Sequence, residues 1–533
     1  MVDISPVEST TLAEYRLLPR APKHSGPVDL GCPLVKYRPA DGESSIINLN
    51  LAVTSAAMQS VSGVQMGSTL PLEGGLAVIF CSQPVEDEAD MIRQIKRSKA
   101  GFQNQPTAVA PELSVDGVRQ VIEKTGYSNI AVTSDGASNG ILLGFISTRD
   151  VADKPGTDNA GSVMKKFSRA ALDAIVKDMI QSAGPEEIIQ AVHDYIPYGL
   201  APISQNHANT LLVETSRSFI PIINDDGTLN SMVFFRDLQT HRNYPLAVLD
   251  SNQRPLAAAA INTTDYKERV PALVDSEVDI IFVDSSNGLK EHQKSCIEWI
   301  ISEYEGKVPV VGGNIITRQG FSYLVEAGAC AVKIGMGGGS ICITQEQKGV
   351  GRGQAAAMKE VADARDDYFR ETGVYVPLIC DGGIVHPRNV AMAYVFGADA
   401  VMMGRWFARM EESPTDVEII RGQKMKPYWG EGSARARKWR EQRYGQIGFD
   451  EGVEGYVPHA GRMRSNINDL VIKVSATIAD AGCSSIMALH NPLDPKPVEV
   501  ERVSIFSAQE GAVHDILVGS QNEIYRESQW NEK

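Results

Sequence analysis

Eight short apolar runs constrain this chain more than any other feature. They are LAVTS (51–55), LAVIF (76–80), AAAAIN (257–262), DIIFVD (279–284), VPVVGGN (308–314), AVKIGMG (331–337), VPLICDGG (376–383) and ADAVMMG (398–404), and most end in a small or polar residue. Stretches with helical spacing, such as HQKSCIEWIISEY and TRQGFSYLVEAG, separate the last six. Continuous apolar strands alternating with helices mean a parallel sheet whose outer face is covered. Eight such units predict an α/β fold, the (β/α)8 TIM barrel, with a doubly wound sheet as the alternative. The polar and Gly-rich residues just after the strands then fall at the barrel's C-terminal face, where barrel enzymes do their chemistry.

The second and third runs stand about 180 residues apart, too far for one helix and two loops. Within the gap, AVTSDGASNGILLGFISTRDV (131–151) and IPIINDDGTLNSMVFFRDL (220–238) follow one plan: strand, Asp-Gly turn, strand, then Arg-Asp at the start of a helix. That is one supersecondary unit used twice. It resembles a pair of CBS modules. The expected division is residues 1–98 as the first part of the barrel, 99–242 as an inserted tandem CBS (Bateman) module, and 243–533 as the rest of the barrel.

Composition narrows the function. Lys and Arg number 51 against 66 Asp and Glu, a net charge of −15, the wrong sign for a duplex-binding protein or a basic membrane-surface helix. No apolar run approaches the length of a bilayer span, and the N-terminus has no charged-then-apolar leader pattern. The seven cysteines (32, 81, 296, 330, 342, 380, 483) form no CxxC and no disulfide framework. A soluble, cytoplasmic protein without membrane or specific nucleic-acid partners is expected.

The segment Lys333–Gln354, KIGMGGGSICITQEQKGVGRGQ, starts as a strand and carries glycines at 335, 337, 338, 339 and 349 around Cys342. It fails as a dinucleotide fingerprint, because Ser340 stands where GxGxxG needs glycine. Its amides can still cradle a phosphate and its carbonyls can ring a bare cation. Cys342 among those amides is a candidate thiolate nucleophile, and a small buried hydrophobe is the alternative. Asp-Gly-Gly at 381–383 reads as a simple turn or as a diol-binding acid with a phosphate loop.

GMGGGSICITQE, with DSSNG (284–288) upstream and DGGI (381–384) downstream, resembles the IMP dehydrogenase/GMP reductase family, and so do LAVTSAAMQSVS near the start and QEGAVHDI near the end. The resemblance implies a (β/α)8 barrel whose nucleophile follows the sixth strand. It implies that Cys342 attacks C2 of inosine 5′-monophosphate (IMP). Ser340, Gly382, Gly383, Gly404 and Arg405 would hold the 5′-phosphate and Asp381 the ribose hydroxyls. Many relatives carry Ser at the position of Arg405; a guanidinium forks onto phosphate better than a hydroxyl does. Met58 would pack on the purine, and Tyr428, Gly430, Glu431 and Gly432 of YWGEG belong to the segment that reads its edge, together with Glu451. For NAD the resemblance implies Asp284, Ser285, Ser286, Asn314 and Gly335, with His292 offering a ring to the adenine.

The run REQRYGQIGFDEGVEGYVPHAG (440–461) resembles the mobile flap of the dehydrogenases, at about 430–465, with Arg443-Tyr444 and Glu451. The family assigns water activation to Arg443, although arginine is effectively never deprotonated. A relay through Thr344 and Glu451 is the second route. Carbonyls of Gly337, Gly339 and Cys342, with those of Glu510, Gly511 and Ala512 from a neighbouring subunit, would bind K⁺, which implies a homotetramer or an octamer. Purine nucleotides are the expected ligands of the CBS pair. The competing readings are a GMP reductase using NADPH and an inactive, CBS-regulated nucleotide sensor.

Overall fold

The computed structural model describes the chain apart from residues 1–4, 22–25, 98–101, 104–105, 126–128, 168–197, 202, 204–209, 214–216, 235–243, 252–253, 437–448, 491–497 and 513–533. All eight apolar runs form strands: β1 Val53–Ser55, β2 Leu76–Ile79, β3 Ala258–Ile261, β4 Ile280–Val283, β5 Val310–Ile315, β6 Ala331–Ile334, β7 Leu378–Asp381 and β8 Ala400–Met403. Every pairing is parallel, and the circle closes through Val53 against Val401 and Ala259 against Ile79. β1 to β4, β6 and β8 are buried along their whole length, because side chains fill the barrel inside and helices cover it outside. The runs' polar and glycine ends fall outside the strands and become the loops of the C-terminal face.

Helices Tyr266–Asp275, Glu291–Glu303, Arg318–Glu326, Gln354–Thr372 and Pro387–Val395 follow β3 to β7 in turn. After β8 the chain makes a single short turn, Arg405–Ala408, and Met463–Asp480 packs against Pro387–Val395 in the outer layer. Between them, strand Gln423–Trp429 pairs with Glu418–Ile420 on one side and Glu454–Pro458 on the other. Among the described residues, no helix is long and apolar enough to cross a membrane.

The insertion contains two four-stranded sheets. In one, Asn129–Thr133 and Leu142–Ser147 form a hairpin; in the other, Phe219–Ile223 and Leu229–Phe234 do. Gly136 (φ 76°) and Gly227 (φ 84°) supply the left-handed turn residues that the Asp-Gly pairs predict. The hairpins meet through reciprocal bonds, Leu142 N–H to Gly227 O (3.2 Å) and Leu229 N–H to Gly140 O (2.9 Å), as repeats related by a local two-fold would. Arg149 and Asp150 start helix Thr148–Ala152 as expected, whereas the second Arg-Asp pair, at 236–237, lies outside the described residues. Lys96, before the insertion, pairs at 2.9 Å with Asp250 after it, and also with Asp279 just ahead of β4.

At the opposite, N-terminal end of the barrel, the buried Asp399 accepts from Leu378 N–H (2.7 Å) and Tyr375 Oη (2.6 Å), and faces His490 Nδ1 at 3.2 Å. Nε2 of the same ring donates to Tyr394 O at 2.9 Å, which pins the C-terminal segment to the barrel floor.

Candidate active site

Two cavities, of about 210 and 470 Å³, open side by side on the C-terminal face and share Asp284, Lys333, Gly339, Cys342, Asp381 and Glu451 as common wall. Beyond that common wall, five places in the chain supply most of the smaller one. Met58 comes from the loop after β1, Ser340 from the loop after β6, Asp381 with Gly382 and Gly383 from the end of β7, and Gly404 with Arg405 from the end of β8. Tyr428, Gly430, Glu431 and Gly432 close it from the hairpin. Gly382 and Gly383 have φ of 100° and 72°, and this fold-back brings Gly383 N–H to Gly338 O at 2.8 Å. A Cβ on Gly404 would lie 2.8 Å from Tyr428 Oη and 3.1 Å from Met58 Sδ, so glycine lets those two groups close on β8. Burial pushes the Tyr428 hydroxyl far above its usual pKa despite the nearby Arg405 guanidinium, so it stays a donor.

The larger cavity takes Ser285 and Ser286 from the loop after β4, Asn314 from β5, and Gly335 and Gly337 from the loop after β6. Thr264 lines it too. Gly335 is held at φ 140°, and a Cβ there would sit 1.9 Å from Asp381 O, so only glycine lets the cysteine loop lie this close to β7.

Cys342 stands half-exposed where the cavities meet. Its Sγ is 3.1 Å from Thr344 Oγ1, which donates to Glu451 Oε2 at 3.0 Å. The backbone fixes this chain of groups: Ile343 N–H donates to Glu451 O and Val453 N–H to Ile341 O, both at 3.0 Å. Three buried thiols stand in contrast. Burial pushes Cys296, Cys330 and Cys380 up to about 12, where they are inert.

Sequence reasoning missed several residues. Lys333 on β6 is only 5% exposed; its Nζ lies 2.6 Å from Asp381 Oδ2 and also bonds Asn314 Oδ1, while Asn314 Nδ2 donates to the same Asp381 oxygen at 2.9 Å. Together they orient Asp381 and leave Oδ1 for a ligand. The signal was a lysine inside an otherwise apolar strand. Gln59 N–H donates to Glu431 Oε1 at 2.7 Å and the Ser82 hydroxyl to Oε2, tying the hairpin turn to the loops after β1 and β2. Lys348 Nζ pairs with Glu451 Oε1 at 2.6 Å.

His292 is exposed on Glu291–Glu303 and lines neither cavity, because the buried stripe of that helix is Gln293, Cys296, Ile297 and Ile300. Arg443 and Tyr444 lie outside the described residues. Glu510, Gly511 and Ala512 are exposed at the end of helix Ile505–Glu510 and line neither cavity.

A family profile described as the IMP dehydrogenase / GMP reductase domain matches residues 29–514. The chain is 40% identical over 496 residues to an inosine-5′-monophosphate dehydrogenase of Tritrichomonas foetus, covering 92% of each. It is 30% identical over 493 residues to the enzyme of that name from Haemophilus influenzae, covering 90% of this chain and 92% of the other. A crystal structure of GMP reductase from Trypanosoma brucei in complex with guanosine 5′-monophosphate superposes with a TM-score of 0.78 at 23% identity, over 96% of this chain and 99% of that one, a likeness of fold. With the barrel, the paired cavities and these matches in hand, the chain belongs to the IMP dehydrogenase / GMP reductase family.

Proposed function

We propose that the chain is an IMP dehydrogenase, an NAD-dependent oxidoreductase that converts IMP to XMP in guanine nucleotide synthesis. The observation that carries this reading is Cys342 at the junction of the two cavities, with Thr344 and Glu451 in line behind it. A nucleotide monophosphate suits the smaller cavity: Arg405, Ser340 and the Gly382-Gly383 amides for the phosphate, the free oxygen of Asp381 for the ribose. The larger cavity suits NAD, with Asp284, Ser285 and Ser286 for a ribose and Asn314 and Gly335 near the reacting ring.

Cys342 Sγ bonds C2 of the purine as the C2–N3 π bond opens and N3 takes a proton, which turns C2 from sp² to sp³ and makes it a hydride donor. NAD, when bound, accepts that hydride. The product of this half is a thioimidate on Cys342, and water must then reach the same carbon. A flap that moves into the emptied larger cavity reconciles dry hydride transfer with wet hydrolysis. Water adds to C2, its proton passes to Thr344 Oγ1 as Thr344 passes its own to Glu451, and the thiolate leaves with the C–S electron pair. Arg443 on the flap, with Tyr444 beside it, is the base the resemblance implies and stands as the other route for this proton. K⁺, when bound, would be held by carbonyls of Gly337, Gly339 and Cys342 and would stiffen the cysteine loop. Gly339 O accepts Cys342 N–H at 3.0 Å and keeps its second lone pair for a cation. Carbonyls of Glu510, Gly511 and Ala512 from a second subunit would complete the shell, so the working form is a homotetramer, with an octamer as its doubled form.

The insertion, residues 99–242, is a regulatory CBS pair. Its cavity of about 560 Å³ is lined by Arg149, Lys165 and Arg217 with Phe145 and Phe219, cations and rings suited to a purine nucleotide. A cytoplasmic location agrees with seven unbridged cysteines. GMP reductase is disfavoured, because the relatives matched at 40% and 30% identity are named dehydrogenases. The test is to mix the chain with IMP, NAD and K⁺ and follow NADH absorbance, with Cys342→Ala as control. The wild type should produce NADH and XMP; the variant should bind IMP by calorimetry and produce neither. Turnover near wild type in Cys342→Ala would overturn covalent catalysis.

A further inference from the structure

Helix Thr344–Lys348 is only one turn and a fraction long, and Gly349 at φ 65° stops it. Residues four apart on a helix share a face, so Thr344 and Lys348 point to the same side. Both meet one carboxylate there: Thr344 Oγ1 at 3.0 Å from Glu451 Oε2 and Lys348 Nζ at 2.6 Å from Glu451 Oε1. Neither the family resemblance nor the two-route account of the base includes Lys348. We propose that Lys348 is a positioning residue for the hydrolytic half of the reaction, occupying one oxygen of Glu451 so that the other stays aimed at Thr344. This rests on the dehydrogenase reading above.

The surroundings leave that task to Lys348. Among the other charged groups on the walls Glu451 shares, Lys333 is held by Asp381 and Asn314, and Glu431 by Gln59 and Ser82. Arg405 lines the smaller cavity alone, Asp284 lines both, and the Cys342 thiol contacts Thr344 Oγ1. Among the described residues, Lys348 is the cation in ion-pair contact with Glu451. The Lys348 and Glu451 side chains are 34% and 26% exposed, so the pair is partly screened and acts through geometry more than through net attraction. Lys348 Nζ also lies 5.8 Å over the Phe449 ring, two residues before Glu451, which steers the ammonium from the same segment. A carboxylate free to rotate would still take a proton, but it would seldom present the lone pair that Thr344 needs.

Rapid mixing of the full-length enzyme with IMP and NAD separates the two halves. Lys348→Met should keep the rate and amplitude of the first NADH burst, lower steady-state turnover by about 10- to 100-fold, and accumulate an IMP adduct on Cys342 by mass spectrometry of quenched samples. Lys348→Arg, which keeps a cation of similar reach, should restore most of the turnover. In a Glu451→Gln background, Lys348→Met should add no further loss, because the group it positions is gone. The proposal is overturned if burst and turnover fall together, if Lys348→Met leaves turnover unchanged, or if it costs as much with Glu451→Gln as without. A wild type that yields no NADH overturns the dehydrogenase reading itself, and the proposal with it.

Discussion

Cys342 follows β6 and Cys380 lies on the next strand, β7, yet the two thiols stand in opposite surroundings. Cys380 is packed behind β7 with its thiol pushed up to about 12, while Cys342 sits on a glycine loop that opens to both cavities. Position in the barrel, not residue type, singles out Cys342 as the proposed nucleophile. The same holds for Arg405, whose guanidinium stands on the wall assigned to the phosphate. Arg405→Ser should raise KM for IMP and spare turnover, with the loss of one charge-assisted contact worth about 1.5–3 kcal/mol; steady-state kinetics at varied IMP checks this. Arg443→Ala should divide the reaction. Hydride transfer needs Cys342 and both ligands, so the NADH burst survives either way; steady-state turnover falls by the roughly 10²–10⁴-fold of a general base where Arg443 takes the proton, and by much less where the Thr344–Glu451 route does. Residual turnover that disappears when Glu451→Gln is added assigns the remainder to the Thr344 route. Mass spectrometry of the quenched enzyme reads the trapped adduct.

At the level of elements, every apolar run read from the sequence became a barrel strand, because a strand buried on both faces must be apolar throughout and periodicity need not be guessed. The Asp-Gly turns of the repeat were equally legible, since a positive φ leaves few residue choices. What stayed hidden was contact across loops. Lys348, Gln59 and Ser82 carry no local signature of their roles, Lys333 carries only the oddity of a lysine in an apolar strand, and the partners of all four lie on other loops or far along the chain. Hairpin Gln423–Trp429 with Glu454–Pro458 was hidden for a related reason, as its pairing spans the flap. The floor of the barrel makes a pH prediction. Burial raises the Asp399 carboxyl, but the hydrogen bond from His490 and the Arg365 guanidinium outweigh burial and hold it below the usual carboxylate range. With the folded value depressed, the unfolded chain takes the proton first. The stabilisation is therefore complete above the unfolded value of about 3.9 and disappears as pH falls through the folded one. Urea midpoints should decline on that acid limb, and less steeply in Asp399→Asn.

For the molecule as a whole, the insertion interrupts a loop and no strand. Its two ends are clasped together by Lys96 and Asp250, and neither barrel cavity takes a wall from its described residues. Replacing residues 100–241 by a short Gly-Ser bridge should therefore leave NADH production substantially intact and abolish any effect of purine nucleotides on rate or assembly. Assays of the shortened chain with and without added nucleotide, alongside sizing by light scattering, check both halves; a well-assembled but inactive product would contradict the division into barrel and insertion.

The same clasp has a consequence for how the chain acquires its shape. β1 and β2 emerge first from the ribosome, but Ile79 finds Ala259 only after the whole insertion has been made, and Val53 finds Val401 later still. Until then two apolar strands wait with open edges while the insertion, whose strand partners are mostly near in sequence, can already collapse around its own small core. A module that folds early and brings its ends together spares the barrel a long search: it turns a distant partner into a near one, and the Lys96 ion pair is the knot that keeps it there.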